Sequence, residues 1–306
     1  MISFLILLAL TLAQPVAPEP WCYASLAEKI ECLGPDKWLG NCQNKHQSPI
    51  NINTKAVIYN YSMPPFQFSN YDKKEEWRIT NNGHTVEVKL NNSIKISGGG
   101  LKETYKAVGI HLHWSDSLNK GSEHTIDGNS YPMEMHIVHI KDKYNALSEA
   151  LEGNDIDEIA VLGFLVKAAA SKNEYFDILV KSLSSIPHKS DSVMLEKLNI
   201  FEIIPQVHKL KNYYRYWGSL TTPNCDEKVI WTVFRDPIEV HKDQILEFSK
   251  RLFYEEKMLM IDNYRKTYPL EDRQVFFASR VGILLPYDWP TLLVPLLTYL
   301  LAVLLY

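Results

Sequence analysis

The chain has 306 residues, 46% of them hydrophobic, and a formal net charge of −4. This length suffices for one large domain or two ordinary ones, and the mild acidity without a basic run excludes nucleic acid as an expected partner. Ten histidines stand against four cysteines, which favours imidazole over thiolate as the ligand of any bound metal ion.

The first residues have the pattern of a secretory signal. Residues Ile2 to Ala13 are apolar, and Pro15, Pro18 and Pro20 follow. A short apolar core with small residues near its end is typical of a signal peptide, although no positive charge precedes this core. We therefore predict a signal peptide over residues 1–13.

A secreted chain passes through an oxidising compartment, where disulfides form. The four cysteines are Cys22, Cys32, Cys42 and Cys225. Counting alone allows three ways of pairing them. The sequons at Asn60 and Asn91 are candidate glycosylation sites and agree with the secretory route.

Short segments separated by turns dominate the middle of the chain. Residues 84–90 alternate as a half-buried strand does, and the apolar run 159–166 predicts a strand buried on both faces or a turn of buried helix. Helical spacing appears over 174–185 and 241–253, and strand patterns appear over 213–216 and 228–234. We predict a single β-dominated α+β domain over residues 14–277, with short peripheral helices.

Two histidine-bearing segments are the strongest chemical signal. His111 and His113 are two residues apart, so in a strand they project from the same face, and His136 on a neighbouring strand would add a third nitrogen. Three histidines with an open fourth position are typical of a catalytic zinc site. The alternative is an ordinary surface or core pair, which an isolated His-x-His more often is.

The alternation of side chains along a strand places two residues near His136, His139 and Glu134, on opposite faces. His139 falls on the face opposite to His136, so we leave it out of the metal site. Glu134 shares the face of His136 and is either a carboxylate that orients this ligand or an exposed strand charge.

The C-terminal segment, residues 291–306, is uncharged and almost wholly apolar. Its composition predicts a GPI signal over residues 278–306, with Ser279 as the candidate attachment residue and 280–289 as spacer. The alternative is a single C-terminal transmembrane anchor. Either one ties the protein to the outer face of the cell membrane.

Several motifs, in this order, resemble those of the α-class carbonic anhydrases: His111-Leu112-His113-Trp114, Gly121-Ser122-Glu123-His124, Glu134-Met135-His136 and Gly218-Ser219-Leu220-Thr221-Thr222-Pro223. The resemblance covers nearly the whole chain after the signal. The cysteine-bearing start and the apolar tail are most similar to the lipid-anchored members. That family's large, twisted, mainly antiparallel central sheet agrees with the strand-rich pattern.

The resemblance implies one Zn²⁺ ion bound by His111, His113 and His136, and reversible hydration of carbon dioxide to bicarbonate. Thr221 and Glu123 would orient the attacking hydroxide. Carbon dioxide, bicarbonate and water are the expected small-molecule partners. Bicarbonate transporters in the same membrane are a further expected partner.

Other family roles also fall on residues of this sequence. His84 would be the proton shuttle, and Tyr23 and Asn82 would organise water near it. The resemblance pairs Cys22 with Cys32 and Cys42 with Cys225. Six residues match the substrate pocket: Val138, Val161, Leu220, Thr222, Val229 and Trp231.

The sequence departs from the family pattern at Gly109, where a glutamine that supports the first zinc ligand is common. We expect Gly109→Gln to tighten zinc retention, because His111 lacks this side-chain partner. Trp217, Lys266 and Tyr268 also depart and bear on the shape of the pocket mouth.

Two alternatives to an active carbonic anhydrase are a binding module of this fold that has lost catalysis and a zinc protease. Retention of all three histidines with Glu123 and Thr221 disfavours the first. The absence of a His-Glu-x-x-His motif from the sequence disfavours the second.

Overall fold

The structure, a computed structural model, describes residues 20–255 and 257–278. The predicted signal peptide, Ser279 and the predicted C-terminal signal beyond Ala278 lie outside these residues. Among the helices of the described residues, none has the length and apolar character needed to cross a bilayer.

The described residues form sixteen strands, numbered in chain order: β1 Asn51–Ile52, β2 Ile58–Tyr59, β3 Phe66–Ser69, β4 Arg78–Asn81, β5 Val86–Lys89, β6 Lys95–Gly98, β7 Tyr105–Trp114, β8 Thr125–Ile126, β9 Met133–Lys141, β10 Ile159–Ala169, β11 Ser192–Met194, β12 Tyr213–Gly218, β13 Val229–His241, β14 Phe253–Glu255, β15 Met258–Leu259 and β16 Phe276–Ala278. Five α-helices are short: α1 Ala24–Ala27, α2 Leu147–Glu152, α3 Phe176–Ser182, α4 Ile200–Ile203 and α5 Lys242–Arg251. Single 3₁₀ turns occupy Pro35–Lys37, Gly40–Gln43, Leu183–Ser185 and Val207–Lys209.

One twisted sheet of twelve strands organises the molecule. Its order is β11-β4-β5-β7-β9-β10-β13-β12-β16-β2, with β6 pairing both β7 and β3. The β10–β13 and β16–β2 pairs are parallel, and the other neighbours in this sheet are antiparallel. The predicted fold class, strand-rich with a large, mainly antiparallel sheet and short helices, is confirmed. The domain limits 14–277 stay a prediction.

The sheet separates two apolar cores. On β7, Ile110 and Leu112 belong to the larger core. Strand alternation directs His111 and His113 to the other face. On that face the smaller core packs Val161, Val229 and Trp231, among others. The histidines therefore stand beside an apolar layer.

The central strands extend further than their apolar patterns. The run 159–166 is strand β10, which excludes the helical alternative. Strand β13 continues past the predicted end at 234 to His241, through Asp236 and Pro237, with a register shift against β10. The polar residues and the proline interrupt the sequence pattern but not the strand. Helices α3 and α5 lie within the two predicted helical segments.

Candidate metal centre and active site

Three histidine rings converge on one point between β7 and β9. The antiparallel register sets His111 directly opposite His136. The His136 Nδ1 atom lies 3.2 Å from His111 Nε2 and 3.1 Å from His113 Nε2. These distances bring together three nitrogen atoms that share one small space, as predicted from strand parity.

The chemistry of these rings fits a metal ion. Burial is the main cause that lowers the pKa of all three below the ordinary value, and for His111 the neighbouring histidines add to the effect. Neutral rings present lone pairs, which a cation can accept. His111, His113 and His136 also satisfy the geometric requirement for a metal-binding group.

In two of the rings, the nitrogen that faces away from the convergence point, here called the outer nitrogen, donates a hydrogen bond that orients the ring. His113 Nδ1 donates to the carbonyl oxygen of Asn263 at 2.8 Å, and His136 Nε2 donates to Glu134 Oε1 at 2.7 Å. Such acceptors fix the tautomer and turn the other nitrogen toward the metal. Among the described residues, His111 Nδ1 has no equivalent acceptor.

Glu134 is a buried partner of the site and not an exposed strand charge. Its Oε2 atom accepts the backbone N–H groups of Glu123 and His124, and its Oε1 atom also accepts from His124 Nδ1 at 2.7 Å. Burial alone would raise the pKa of Glu134, but His124 and His136 hold it well below its usual range. The carboxylate therefore stays charged and pairs with both rings.

Glu123 also lies beside the convergence point. Its Oε1 atom accepts the backbone N–H of Arg265 at 2.9 Å, and its Oε2 atom lies 3.3 Å from His113 Nε2. Within the described residues this buried Oε2 atom has no hydrogen-bond partner. Burial raises the pKa of Glu123 to about 7, although the His136 ring, the Arg265 N–H and the Thr221 hydroxyl each act to lower it. A buried carboxylate oxygen 3.3 Å from His113 Nε2 and 3.9 Å from His136 Nδ1 fits a site that binds a cation and a protic ligand.

A pocket of about 200 Å³ opens onto His111. Of the six predicted pocket residues, Val138, Leu220 and Thr222 line it. The other three, Val161, Val229 and Trp231, are buried in the adjacent core. Val138 and Leu220 thus form an apolar wall of the pocket and pack against the core that contains the other three residues. Tyr23, Asn82 and His84 line the same pocket.

His84 lies at the pocket beside the N-terminal segment. Its imidazole stacks on the Trp21 indole, with ring centroids 3.8 Å apart and an interplanar angle of 11°. Burial, followed by the charge of Lys189, lowers the pKa of His84 to about 4.

The structure joins Cys22 to Cys32 and Cys42 to Cys225, the pairs that the family resemblance implies. The second bridge spans 183 residues, and the Cys225 N–H donates to the Thr222 carbonyl at 2.8 Å. It thereby connects the N-terminal segment to the turn that carries Thr221.

Arg265 is a structural support that the sequence patterns did not reveal. Its buried guanidinium donates to Gln47 Oε1 and the Ser48 carbonyl, both at 2.9 Å, and to the Cys42 carbonyl at 3.3 Å. The same group lies 4.0 Å from the centre of the Tyr268 ring. Tyr268, which departs from the family pattern, thus stacks on this arginine.

The glycosylation candidates lie at the surface. Asn60 is half-buried and Asn91 is exposed. In both sequons the serine hydroxyl donates to the asparagine Oδ1 atom.

A family model described as eukaryotic-type carbonic anhydrase matches residues 33–279. The chain belongs to this family. The chain is 48% identical over 300 residues to carbonic anhydrase 4 of Oryctolagus cuniculus, with 97% of each chain covered. It is 46% identical to carbonic anhydrase 4 of Rattus norvegicus, over 97% of this chain and 98% of the relative. Carbonic anhydrase 12 of Homo sapiens is 32% identical, over 89% and 78%.

Proposed function

We propose that this carbonic anhydrase holds one Zn²⁺ ion on His111 Nε2, His113 Nε2 and His136 Nδ1 and uses it to hydrate carbon dioxide reversibly to bicarbonate and a proton. The observation that carries this proposal is the convergence of three neutral ring nitrogens beside the orphaned Glu123 oxygen. When bound, zinc would act as a Lewis acid that lets water ionise near neutral pH, an effect for which carbonic anhydrase is the standard example.

The chain's own residues would orient the reactants. Glu123 accepts the Arg265 N–H through Oε1, which leaves Oε2 to accept the Thr221 hydroxyl proton. Thr221 then presents an oxygen lone pair toward the histidines and accepts the proton of the attacking hydroxyl. Such positioning lowers the barrier because the nucleophile is already aligned.

The apolar wall would receive the substrate. Carbon dioxide is nonpolar, so Val138 and Leu220 can contact it without displacing tightly held water, and Thr222 lies at the same wall. His84, at the pocket, would pass the released proton to buffer, because an imidazole can both accept and donate a proton; its lowered pKa of about 4 would limit the rate of this transfer.

The test is stopped-flow carbon dioxide hydration by the purified secreted chain, with zinc content measured in parallel. Zinc-dependent activity that a chelator removes and added zinc restores is expected. His113→Ala should lose both zinc and activity, whereas His188→Ala, an exposed histidine, should lose neither. A chain that binds zinc but does not hydrate carbon dioxide would indicate the binding-module alternative instead.

We further propose that the enzyme works at the outer face of the cell membrane, tied there by a GPI anchor at Ser279, beside bicarbonate transporters that would consume its product. The apolar segment 291–306 and the sequons at Asn60 and Asn91 support this location. Release of the enzyme from intact cells by phosphatidylinositol-specific phospholipase C is the expected result. Retention after that treatment would favour the transmembrane alternative.

A further inference from the structure

The three zinc-site rings are not supported equally. The outer nitrogens of His113 and His136 donate to the Asn263 carbonyl and the Glu134 carboxylate. Among the described residues, the outer nitrogen of His111 has no such acceptor. A metal-binding histidine normally gives its outer N–H to a carboxylate, a carbonyl or a water molecule.

Gly109 cannot carry a supporting side chain without a shift of the neighbouring strand. A Cβ atom at this position would come within 2.9 Å of the Val88 carbonyl oxygen on β5. The same Cβ would lie 3.5 Å from Glu87 Oε1. The space beside Gly109 is therefore already occupied by a carboxylate from the adjacent strand.

Glu87 is well placed to serve His111. The two residues are direct partners in the antiparallel β5–β7 ladder, so their side chains leave the same face with Cβ atoms about 5 Å apart. Both line the pocket, together with Gly109, and Glu87 is the single carboxylate among the pocket-lining residues. Its side chain is exposed and its oxygens bond to no described residue, which leaves them open to solvent in the pocket.

We propose that Glu87 is a positioning residue of the zinc site: its carboxylate accepts the Nδ1–H of His111 through one bridging water molecule. This inference rests on the proposed zinc function. The bridge fixes the tautomer with the proton on Nδ1 and directs the Nε2 lone pair toward His113 and His136. A water bridge suits the geometry because the two side chains line the same pocket and make no direct hydrogen bond to each other.

The experiment measures the rate of zinc loss from the full secreted chain to an excess of a chromophoric chelator. We expect Glu87→Ala to lose zinc about ten-fold faster than the wild type, the lower end of the effect seen when a ligand-orienting partner is removed. Glu87→Gln keeps an acceptor oxygen without the charge and should fall between the two. Because Glu87 is exposed, the free energy of unfolding of the metal-free variants should match that of the metal-free wild type.

A matched control is Glu76→Gln, which removes an exposed carboxylate elsewhere on the surface and should leave the rate unchanged. A Glu87→Ala rate within twofold of the wild type would overturn the proposal. So would a Glu76→Gln effect equal to that of Glu87→Ala, or a Glu87→Gln rate equal to that of Glu87→Ala. A wild-type chain that retains no zinc would instead refute the proposed function itself.

Discussion

The indole of Trp21 lies parallel to the imidazole of His84, with ring centroids 3.8 Å apart. Trp21 immediately precedes Cys22, whose disulfide to Cys32 closes the N-terminal loop. A residue of the N-terminal segment thus covers one face of the proposed proton shuttle. The contact contributes to the burial that lowers the pKa of His84 to about 4.

Lys189→Gln should raise the pKa of His84, because a neighbouring positive charge disfavours the imidazolium form. Trp21→Ala should raise it further, since burial is the larger cause of the lowered value. A shuttle pKa nearer the working pH transfers protons more efficiently, so Lys189→Gln should increase kcat in weak buffer. NMR titration of His84 and stopped-flow kinetics measure the two effects.

Lys167→Gln is the matched control, because it removes an exposed lysine on β10. It should change neither the His84 titration nor kcat. An unchanged His84 pKa in Lys189→Gln would contradict the electrostatic account.

Loss of the Cys42–Cys225 bridge should reduce both stability and catalysis. The bridge closes a loop of 183 residues, and removing such a cross-link typically costs about 2–5 kcal/mol of unfolding free energy. Since Cys225 bonds to Thr222, the double Cys42→Ser, Cys225→Ser variant should also hydrate carbon dioxide more slowly. Denaturant unfolding, zinc content and kcat together test this. Wild-type activity and zinc content in that variant would show that the bridge does not hold the Thr221 turn.

The sequence predicted the convergence of the three histidines because its determinants are local. Two histidines at i and i+2 share a strand face whatever the rest of the fold does, and the second histidine strand needed only to pair with the first. The same rule kept His139 out of the site: its Nε2 atom lies 2.7 Å from the Tyr71 hydroxyl, in the other core.

The supports of the site could not be predicted in this way. Arg265 contacts Gln47 and Cys42, 218 and 223 residues earlier in the chain, and no periodicity connects positions that far apart. The acceptor for His113 is a backbone carbonyl, that of Asn263, which side-chain patterns do not identify. The proximity of Glu87 to Gly109 depends on strand register.

The free energy of unfolding should decrease as the pH is lowered, over a pH range set partly by His139. Burial lowers the pKa of this ring to about 4 from an ordinary value of 6.5. Between these values the unfolded chain binds a proton that the folded chain does not, so the free energy of unfolding decreases as pH falls from 6.5 to 4 and levels off below. At 1.4 kcal/mol per unit, this one group accounts for about 3 kcal/mol.

Urea unfolding of the zinc-loaded protein between pH 6.5 and about 4 measures how steeply the free energy of unfolding depends on pH. His139→Gln should flatten it, because the amide does not titrate, while His188→Gln removes an exposed histidine and should leave the slope nearly unchanged. An equal slope in wild type and His139→Gln would exclude His139 as a source of the acid sensitivity.

Gly109→Gln should combine slower zinc loss with reduced stability. A glutamine here brings an acceptor near His111, but its Cβ would lie 2.9 Å from the Val88 carbonyl, so strand β5 must move. Strain of this kind typically costs about 1–3 kcal/mol. Gly109→Ala carries the same strain without the acceptor and separates the two effects. We expect both variants to unfold at similar, lower denaturant concentrations, and only Gly109→Gln to release zinc more slowly than Gly109→Ala. Equal rates of zinc loss in the two variants would show that a side chain at position 109 cannot reach His111 in this fold.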